Sequence, residues 1–477
     1  MLRNFFKAGI GGAGSQVINF LALPVISRLY TPKDYAVWAV IIATSSILGI
    51  IACLRYELAI VIPKDDEEAS VIFWLCLLLT GVFALVAVLL ILFPDIQKVI
   101  IGKETEVSAR FVWVVPMLVF LIGFNATLQY WAVRKEAFLL SSLGLMGRAC
   151  GTVATQIGLA LLFSGYGIFL VIGSLVGELI YSLMVITGIL YMGKQPRFIR
   201  EVFHSIPSVA KKHRLFPFYS APYVIFGTLR SRASVYILDV FVGAKVVGLY
   251  AFAQRILNFP VTLISGALRP VLFQKAASEG ILAIEDRLNL ILKSLAFLSL
   301  PFFVFYLYYP EEIFRIVFGS KWTEAGRIGA YLIWPAYTFL FCNWMDRILD
   351  VLRRQRLAFL MQAFFAILSL SFLTILLALG HSLKIAIIMQ CAILTIYNFT
   401  YIYVTYSSAN YSFLPLYRLI LLMLSIGIIE WTVLKISNLI FINVYLSIGM
   451  YVVFNIALWS VLFRKPLFRF SRFSENA

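Results

Sequence analysis

The chain has 477 residues, of which 62% are hydrophobic, 16% aromatic and only 13% charged, and its mean hydropathy is +0.93. A soluble domain carries charge on about a quarter of its residues, so a soluble enzyme, a disordered scaffold and a disulfide-stapled secreted domain are excluded, and lipid is the solvent for most of the chain. The net charge of +17 would suggest nucleic acid in a soluble protein; here it reads as basic cytoplasmic loops, with no nucleic-acid partner.

In chain order, hydropathy marks fourteen spans, near 10–30, 36–56, 71–93, 111–132, 139–163, 168–192, 218–241, 248–273, 289–309, 329–350, 357–379, 385–406, 417–437 and 441–463; each meets the ~20 apolar residues that a crossing needs. Met1 to Ala22 is basic and then apolar without a small-x-small cleavage signal, and reads as an uncleaved first helix. Its glycines Gly9, Gly11, Gly12 and Gly14 suit close helix packing. With the N-terminus inside, about twenty-two Lys and Arg fall in inside segments and about eleven in outside ones, which predicts both termini in the cytoplasm. The longest connection, 193–217, holds Lys194, Arg197, Arg200, Lys211, Lys212 and Arg214 and follows the sixth span. It reads as a basic linker between two six-helix bundles, 1–192 and 218–406, with 407–477 supplying two extra helices and a basic tail. The segment 310–328 reads as a short amphipathic piece on the outer face.

An internal repeat supports two halves. The second span opens Tyr35-Ala-Val-Trp38-Ala39 and the eighth Val247-Gly-Leu-Tyr250-Ala251, each after a turn carrying a lysine (Lys33, Lys245). Arg134-Lys-Glu-Ala-Phe138-Leu139 after the fourth span echoes Arg354-Gln-Arg-Leu-Ala-Phe359-Leu360 after the tenth, with one residue inserted. Two six-helix halves entering from the same side are related by a pseudo-twofold along the membrane normal.

Charges inside the spans carry the functional signal. An arginine at mid-bilayer costs about 2.5–3.5 kcal/mol on insertion scales, so Arg148, Arg230, Arg232 and Arg255 should face a wet interior or a carboxylate. The acidic candidates for coupling or pairing are Glu178, Asp239, Asp346 and Glu430, with Asp350 one turn beyond Asp346. Arg148 has two readings, interhelical glue with Glu178 or a cavity position. Arg28, Arg55, Arg269 and Arg347 lie near span ends, where long side chains snorkel to the interface. Gln16, Asn19, Asn125, Gln129, Gln156, Gln254, Asn258, Asn343, Gln362, Gln390 and Asn398 also lie in spans and need hydrogen bonds there. His204, His213 and His381 all fall in loops, so no histidine proton relay within the membrane is expected.

No Gly-x-x-x-x-Gly-Lys-[Ser/Thr], His-Glu-x-x-His or Gly-x-Ser-x-Gly is present, and the run Asp65-Asp66-Glu67-Glu68 reads as a solvated turn rather than a metal site. Cys53, Cys76, Cys150, Cys342 and Cys391 lie in apolar stretches without metal-ligand spacing. No catalytic residue, metal or cofactor is expected.

The stretch Leu54-Arg55-Tyr56-Glu57-Leu58-Ala59-Ile60-Val61-Ile62-Pro63-Lys64-Asp65-Asp66-Glu67-Glu68-Ala69 resembles the second inner loop of bacterial polysaccharide flippases. Ser27-Arg28-Leu29-Tyr30-Thr31-Pro32-Lys33-Asp34-Tyr35 and Val247-Gly248-Leu249-Tyr250, followed by Ala253 and Arg255, resemble them too. These are the O-antigen and exopolysaccharide exporters (Wzx-type, PST branch) of the MOP (multidrug/oligosaccharidyl-lipid/polysaccharide) superfamily. The resemblance implies an all-α polytopic protein with two six-helix bundles in a V around a central cavity. It implies movement of an undecaprenyl-pyrophosphate-linked oligosaccharide across the bacterial inner membrane, coupled to H+ or Na+, alongside other polysaccharide assembly proteins. Family cavities are often cationic, and Arg230, Arg232 and Arg255 fit, with Arg28 and Arg148 as further positions. Two alternatives are a multidrug or cation antiporter of the same superfamily, which would favour deep carboxylates over arginines, and a membrane polymerase or ligase, which would need a substantial outer loop.

Overall fold

The structure, a computed structural model, describes residues 2–93, 97, 112–163, 165–197, 202–352, 354–440, 449–455 and 458. Every regular element among them is helical. The first predicted span is the end of α1 (Leu2–Leu21) and α2 (Leu23–Leu29); the break at Ala22 precedes Pro24, which has no N–H to donate. The chain continues through α3 (Pro32–Ile51), α4 (Asp66–Ile91), α5 (Val114–Arg134), α6 (Phe138–Phe163) and α7 (Gly167–Tyr191). The linker holds the short helix α8 (Val202–Lys212), followed by α9 (Ala221–Arg232), α10 (Ser234–Phe241) and α11 (Ala244–Glu279). Then come α12 (Glu285–Tyr308), α13 (Pro310–Phe318), α14 (Thr323–Cys342), α15 (Asp346–Val351), α16 (Gln355–Ala378), α17 (Leu383–Ala409) and α18 (Leu414–Ile440). Ten of the described helices are long and apolar enough to cross a membrane. The fourteenth predicted span lies outside the described residues except for 449–455 and Leu458, and so does the basic tail 464–477.

Two further spans expected as single helices are also broken. The seventh span splits at Ala233 into α9 and α10. The break leaves Arg230 and Arg232 in the last turn of α9, where the negative end of the helix dipole favours cations. The tenth span splits at Asn343. There the Arg269 Nη2 donates to the Asn343 carbonyl (2.6 Å) and its Nε to Asp346 Oδ1 (3.0 Å), while Asn343 Nδ2 donates to Ser265 Oγ (2.9 Å). Arg269, expected as an interfacial anchor, instead holds the end of α14 to α11. Arg55 likewise turns inward, with φ of 64° and its Nη1 2.9 Å from the buried Glu57.

The acidic run is not merely a solvated turn. Asp65 caps α4 through Glu67 N (3.1 Å). Asp66 Oδ1 accepts from Arg134 Nε (3.1 Å) and Nη2 (3.0 Å), and Arg134 Nη1 reaches the carbonyls of Ile60 (3.0 Å) and Pro63 (2.6 Å). Glu68 takes Lys212 Nζ (2.8 Å) and lies 2.9 Å from His213 Nε2, which fastens the linker to the start of α4. A charged loop that would otherwise wander is thereby ordered by a connected set of charge-assisted bonds.

Packing repeats along the chain. In the first half α1 lies on α6, α6 on α7, α3 on α5 and α5 on α7; in the second α9 lies on α16, α16 on α17, α11 on α14 and α14 on α17. The third members differ, since α4 packs on α5 whereas α12 packs on α18. By contacts the chain divides into two units, 1–281 with 311–409, and 282–310 with 410–477. Within the first unit the repeated words share a helical register. Pro32 and Ala244 begin α3 and α11, so Tyr35 and Val247 are fourth, Trp38 and Tyr250 seventh, and Ala39 and Ala251 eighth. The second echo is looser: Arg134 ends α5, whereas α16 already begins at Gln355.

The repeated helices α3 and α11 pack directly on each other. A Cβ at Gly248 would lie 1.7 Å from the Pro32 carbonyl oxygen, so backbone meets backbone there and only glycine fits. Tyr35 meets Phe252 edge-on (5.2 Å) and Phe252 stacks on Trp322 (3.9 Å), whose Nε1 donates to the Ser27 carbonyl (2.8 Å). Gly11 likewise backs onto Ser142, whereas Gly12 faces open space. Replacing Gly248 by Ala is therefore expected to cost about 1–3 kcal/mol through overpacking, while Gly12→Ala is neutral or gains about 0.5–1 kcal/mol from helix propensity; thermal unfolding of the purified protein in detergent reads both.

Candidate functional site

Arg255 lies about three turns into α11, and α3 supplies its surroundings. Its Nη1 donates to Tyr35 Oη (2.8 Å), and its guanidinium sits 5.0 Å from the Trp38 ring centre. Tyr35 is wholly buried, and Trp38 is fixed by its Nε1 donating to Ser174 Oγ (3.0 Å). The two aromatics in the repeated word thus hold the arginine of the opposite half. Both are preset by the first turn of α3, where Thr31 and Asp34 form a capping box ahead of Pro32, the arrangement that nucleates a helix start.

Arg230 is held in the same way by different helices. Its guanidinium lies 4.5 Å from the Tyr397 ring on α17 and 5.2 Å from the Phe339 ring on α14. In the amide orientation that satisfies both ends, Gln362 on α16 donates to Tyr397 Oη (2.5 Å) and accepts from Arg230 Nε (3.3 Å) and Gly227 N (3.1 Å).

Arg232 is half-buried at the break between α9 and α10. Among the described residues it makes no hydrogen bond and no ion pair; its electrostatic neighbours are Arg255, Tyr35 and Tyr236. Tyr236 Oη is itself hydrogen-bonded to Thr44 Oγ1 on α3 (2.6 Å). Two like charges therefore share one region with hydroxyls and ring faces around them, and among the described residues none of the three arginines pairs with a carboxylate. This is unlike an ordinary structural arginine in a low-dielectric interior, which takes a carboxylate partner.

The remaining candidates sit elsewhere. Arg148 Nη1 lies 3.2 Å from Glu178 Oε1, Glu178 Oε2 accepts from Asn125 Nδ2 (2.8 Å), and Asn125 Oδ1 accepts from Ser182 Oγ (2.6 Å). This is glue between α5, α6 and α7, the first of the two readings open in the sequence. Arg28 is exposed, and its carbonyl accepts from Lys321 Nζ (2.9 Å). Asp346 belongs to Arg269 (3.0 Å), Asp239 is buried on α10, and Glu430 is buried on α18. Among the described residues no group of three or more His, Cys, Asp and Glu could hold a metal. Sequence reasoning located the three arginines but missed Tyr35, Trp38, Tyr236, Phe339 and Tyr397 as their holders. The repeat word contains the first two, and Gln362 is one of the polar residues within the spans.

The ring contacts bear on what the arginines can still bind. A ring face engages the guanidinium charge through its π electrons without taking an N–H donor. Those donors form the fork that grips phosphate or carboxylate with two parallel bonds.

The fold places the chain among the multi-pass membrane proteins built like the transporters of the MOP superfamily. The structure aligns with a lipid II flippase, MurJ, in an inward closed conformation over 96% of this chain and 99% of that one, with a TM-score of 0.73 and 15% identity. An inward-facing MATE-family multidrug transporter of the MOP superfamily aligns over 86% and 95%, with a TM-score of 0.58 and 12% identity. At sequence level the chain is 23% identical over 280 residues to the succinoglycan biosynthesis transport protein ExoT of Rhizobium meliloti (strain 1021), covering 57% of this chain and 52% of that protein; the match spans about half the length of this relative. Residues 25–327 match the family of polysaccharide biosynthesis proteins, and the chain belongs to that family.

Because Arg232 has no described partner while Arg269 holds Asp346, the two should respond oppositely to removal. Arg232→Leu is expected to leave the melting temperature of the purified protein unchanged or higher. Arg269→Leu, which orphans Asp346 and the end of α14, is expected to cost about 1–3 kcal/mol.

Proposed function

We propose that the protein is a flippase that moves undecaprenyl-pyrophosphate-linked oligosaccharide repeat units from the inner to the outer leaflet of the bacterial cytoplasmic membrane. The product serves O-antigen, capsule or exopolysaccharide assembly. The observation that carries this reading is the trio Arg230, Arg232 and Arg255, deep in an apolar shell, with no carboxylate on any of them among the described residues and most of their donors free. A pyrophosphate cannot cross hydrocarbon bare, because an unpaired buried charge costs far more than a protein's whole stability. Permanent planar cations lower that barrier while the isoprenoid tail stays in lipid. A cargo that is itself cationic would be repelled by the same groups, which argues against an antiporter of cationic drugs. Family membership and the match to a succinoglycan transport protein support a polysaccharide intermediate as cargo.

The mechanism we envisage is rocking of the two repeated halves, 1–192 and 218–406. The contacts among Pro32, Gly248, Tyr35, Phe252, Trp322 and Ser27 close one end of the α3–α11 seam. By loop charge that end is the outer one, so the arginines are offered to the cytoplasmic leaflet. Hydroxyls rather than carboxylates around them keep the grip on phosphate moderate, which lets the cargo leave when the seam opens.

Arg232→Ala and Arg255→Ala are each expected to lower surface polysaccharide at least about tenfold, the loss of one charge-assisted contact, with unchanged amounts of protein in the membrane; normal export by both variants would overturn the reading. Deletion of the gene should trap lipid-linked repeat units in the inner leaflet. For orientation, Ser205→Cys in a background with Cys150 replaced should resist a membrane-impermeant thiol reagent in intact cells, and labelling there would invert the topology.

A further inference from the structure

The unit formed by 282–310 and 410–477 contains a buried acid that the arginine site does not use. Glu430, at the middle of α18, is 1% exposed. Among the described residues it forms no ion pair, and Tyr451 is the one titratable group that acts on it. The nearest cations in sequence are Lys435 on α18 itself, which is exposed, and the half-buried Lys293 on α12, about two turns before Pro301. Ile436 to Phe463 contains no Asp, Glu, Lys, Arg or His, and Ser294 to Pro310 contains none either.

The hydrogen bonds around Glu430 can be counted proton by proton. Tyr451 Oη lies 2.9 Å from the Pro301 carbonyl oxygen and 3.2 Å from Glu430 Oε2. A phenol has one proton and a carbonyl can only accept. With the phenol proton on the shorter contact, Oη and Oε2 would face each other as two acceptors unless the carboxyl carries a hydrogen and donates it to Oη. Among the described residues Glu430 Oε1 has no hydrogen-bond partner. One turn beyond Tyr451, the buried Asn455 spends its amide nitrogen on the Tyr451 carbonyl (3.1 Å), and its Oδ1 likewise has no partner among the described residues. An ionised carboxylate with this surround would be a bare charge in hydrocarbon; a neutral acid satisfies the arrangement.

We infer that Glu430, with Tyr451 and the Pro301 carbonyl, is a proton-binding site, occupied in this state and separate in sequence and chemistry from the arginines. Taking up H+ turns the carboxylate into the neutral acid; releasing it leaves a negative charge that must find water. The site therefore favours different surroundings in its two protonation states, which is what a coupling site requires. That Glu430 binds a proton stands by itself; that this proton drives export rests on the flippase reading.

The probe is dicyclohexylcarbodiimide, which attaches to protonated carboxyl groups in apolar surroundings. Full-length protein in lipid vesicles is treated, digested and mapped by mass spectrometry. Label is expected on Glu430, falling about tenfold for each pH unit above the midpoint of the acid, and absent in Glu430→Gln. Tyr451→Phe, which removes the acceptor but not the burial, should keep the label. No label on Glu430 in folded protein, or label that is insensitive to pH but blocked by sodium, overturns the proton site. In cells Glu430→Gln, isosteric with the neutral acid, is expected to reduce export about tenfold or more, like Arg255→Ala. Export at the normal level in Glu430→Gln while Arg255→Ala blocks it overturns the coupling role. Normal export in both removes the flippase reading instead and leaves the labelling result to decide the site.

Discussion

The arrangement on which the rest of this molecule depends is a guanidinium resting on aromatic faces inside a hydrocarbon-solvated shell. A buried carboxylate would hold each arginine more tightly, but it would also spend the fork and cancel the charge. Rings and hydroxyls hold Arg230 and Arg255 in place and leave the charge uncancelled. Arg148 in the same protein shows the contrast. Its Nη1 faces Glu178, which Asn125 and Ser182 brace in turn, so its charge is offset by a carboxylate. Placement alone therefore does not define a functional intramembrane arginine; the identity of its neighbours does.

Much of the fold was legible in the sequence because the membrane leaves few options. Every backbone group must be satisfied within its own helix, so apolar length translates almost directly into spans. The spans that fail as single helices break at single points, at Ala22 ahead of Pro24, at Ala233 after Arg232, and at Asn343, where the Arg269 side chain takes the backbone carbonyl. Hydropathy averages over such points and cannot see a one-residue break. The pairing of α12 with α18 was also invisible, since both are uniformly apolar and neither carries a positional signal for its partner.

The site was half legible. The cost of burying arginine marks Arg148, Arg230, Arg232 and Arg255 alike from sequence and does not separate the first from the rest; the holders of Arg230 and Arg255 are aromatic residues in a chain where aromatics are everywhere. What sets Tyr35 and Trp38 apart is the repeat: their register in α3 matches that of Val247 and Tyr250 in α11, and the two helices meet face to face. Asp65 to Glu68 teach the reverse lesson. An acidic run looks generic until the basic end of α5 and the linker arrive from far along the chain, and no local pattern announces that meeting.

The glycine contact between α11 and the start of α3 bears on how that seam can part. Most helix interfaces are filled by side chains that hop between rotamers and absorb small shifts one at a time. Where Gly248 lies against the Pro32 carbonyl there is no side chain to move. Main chain against main chain cannot yield by a rotamer change, so at this point the two helices separate as bodies or not at all.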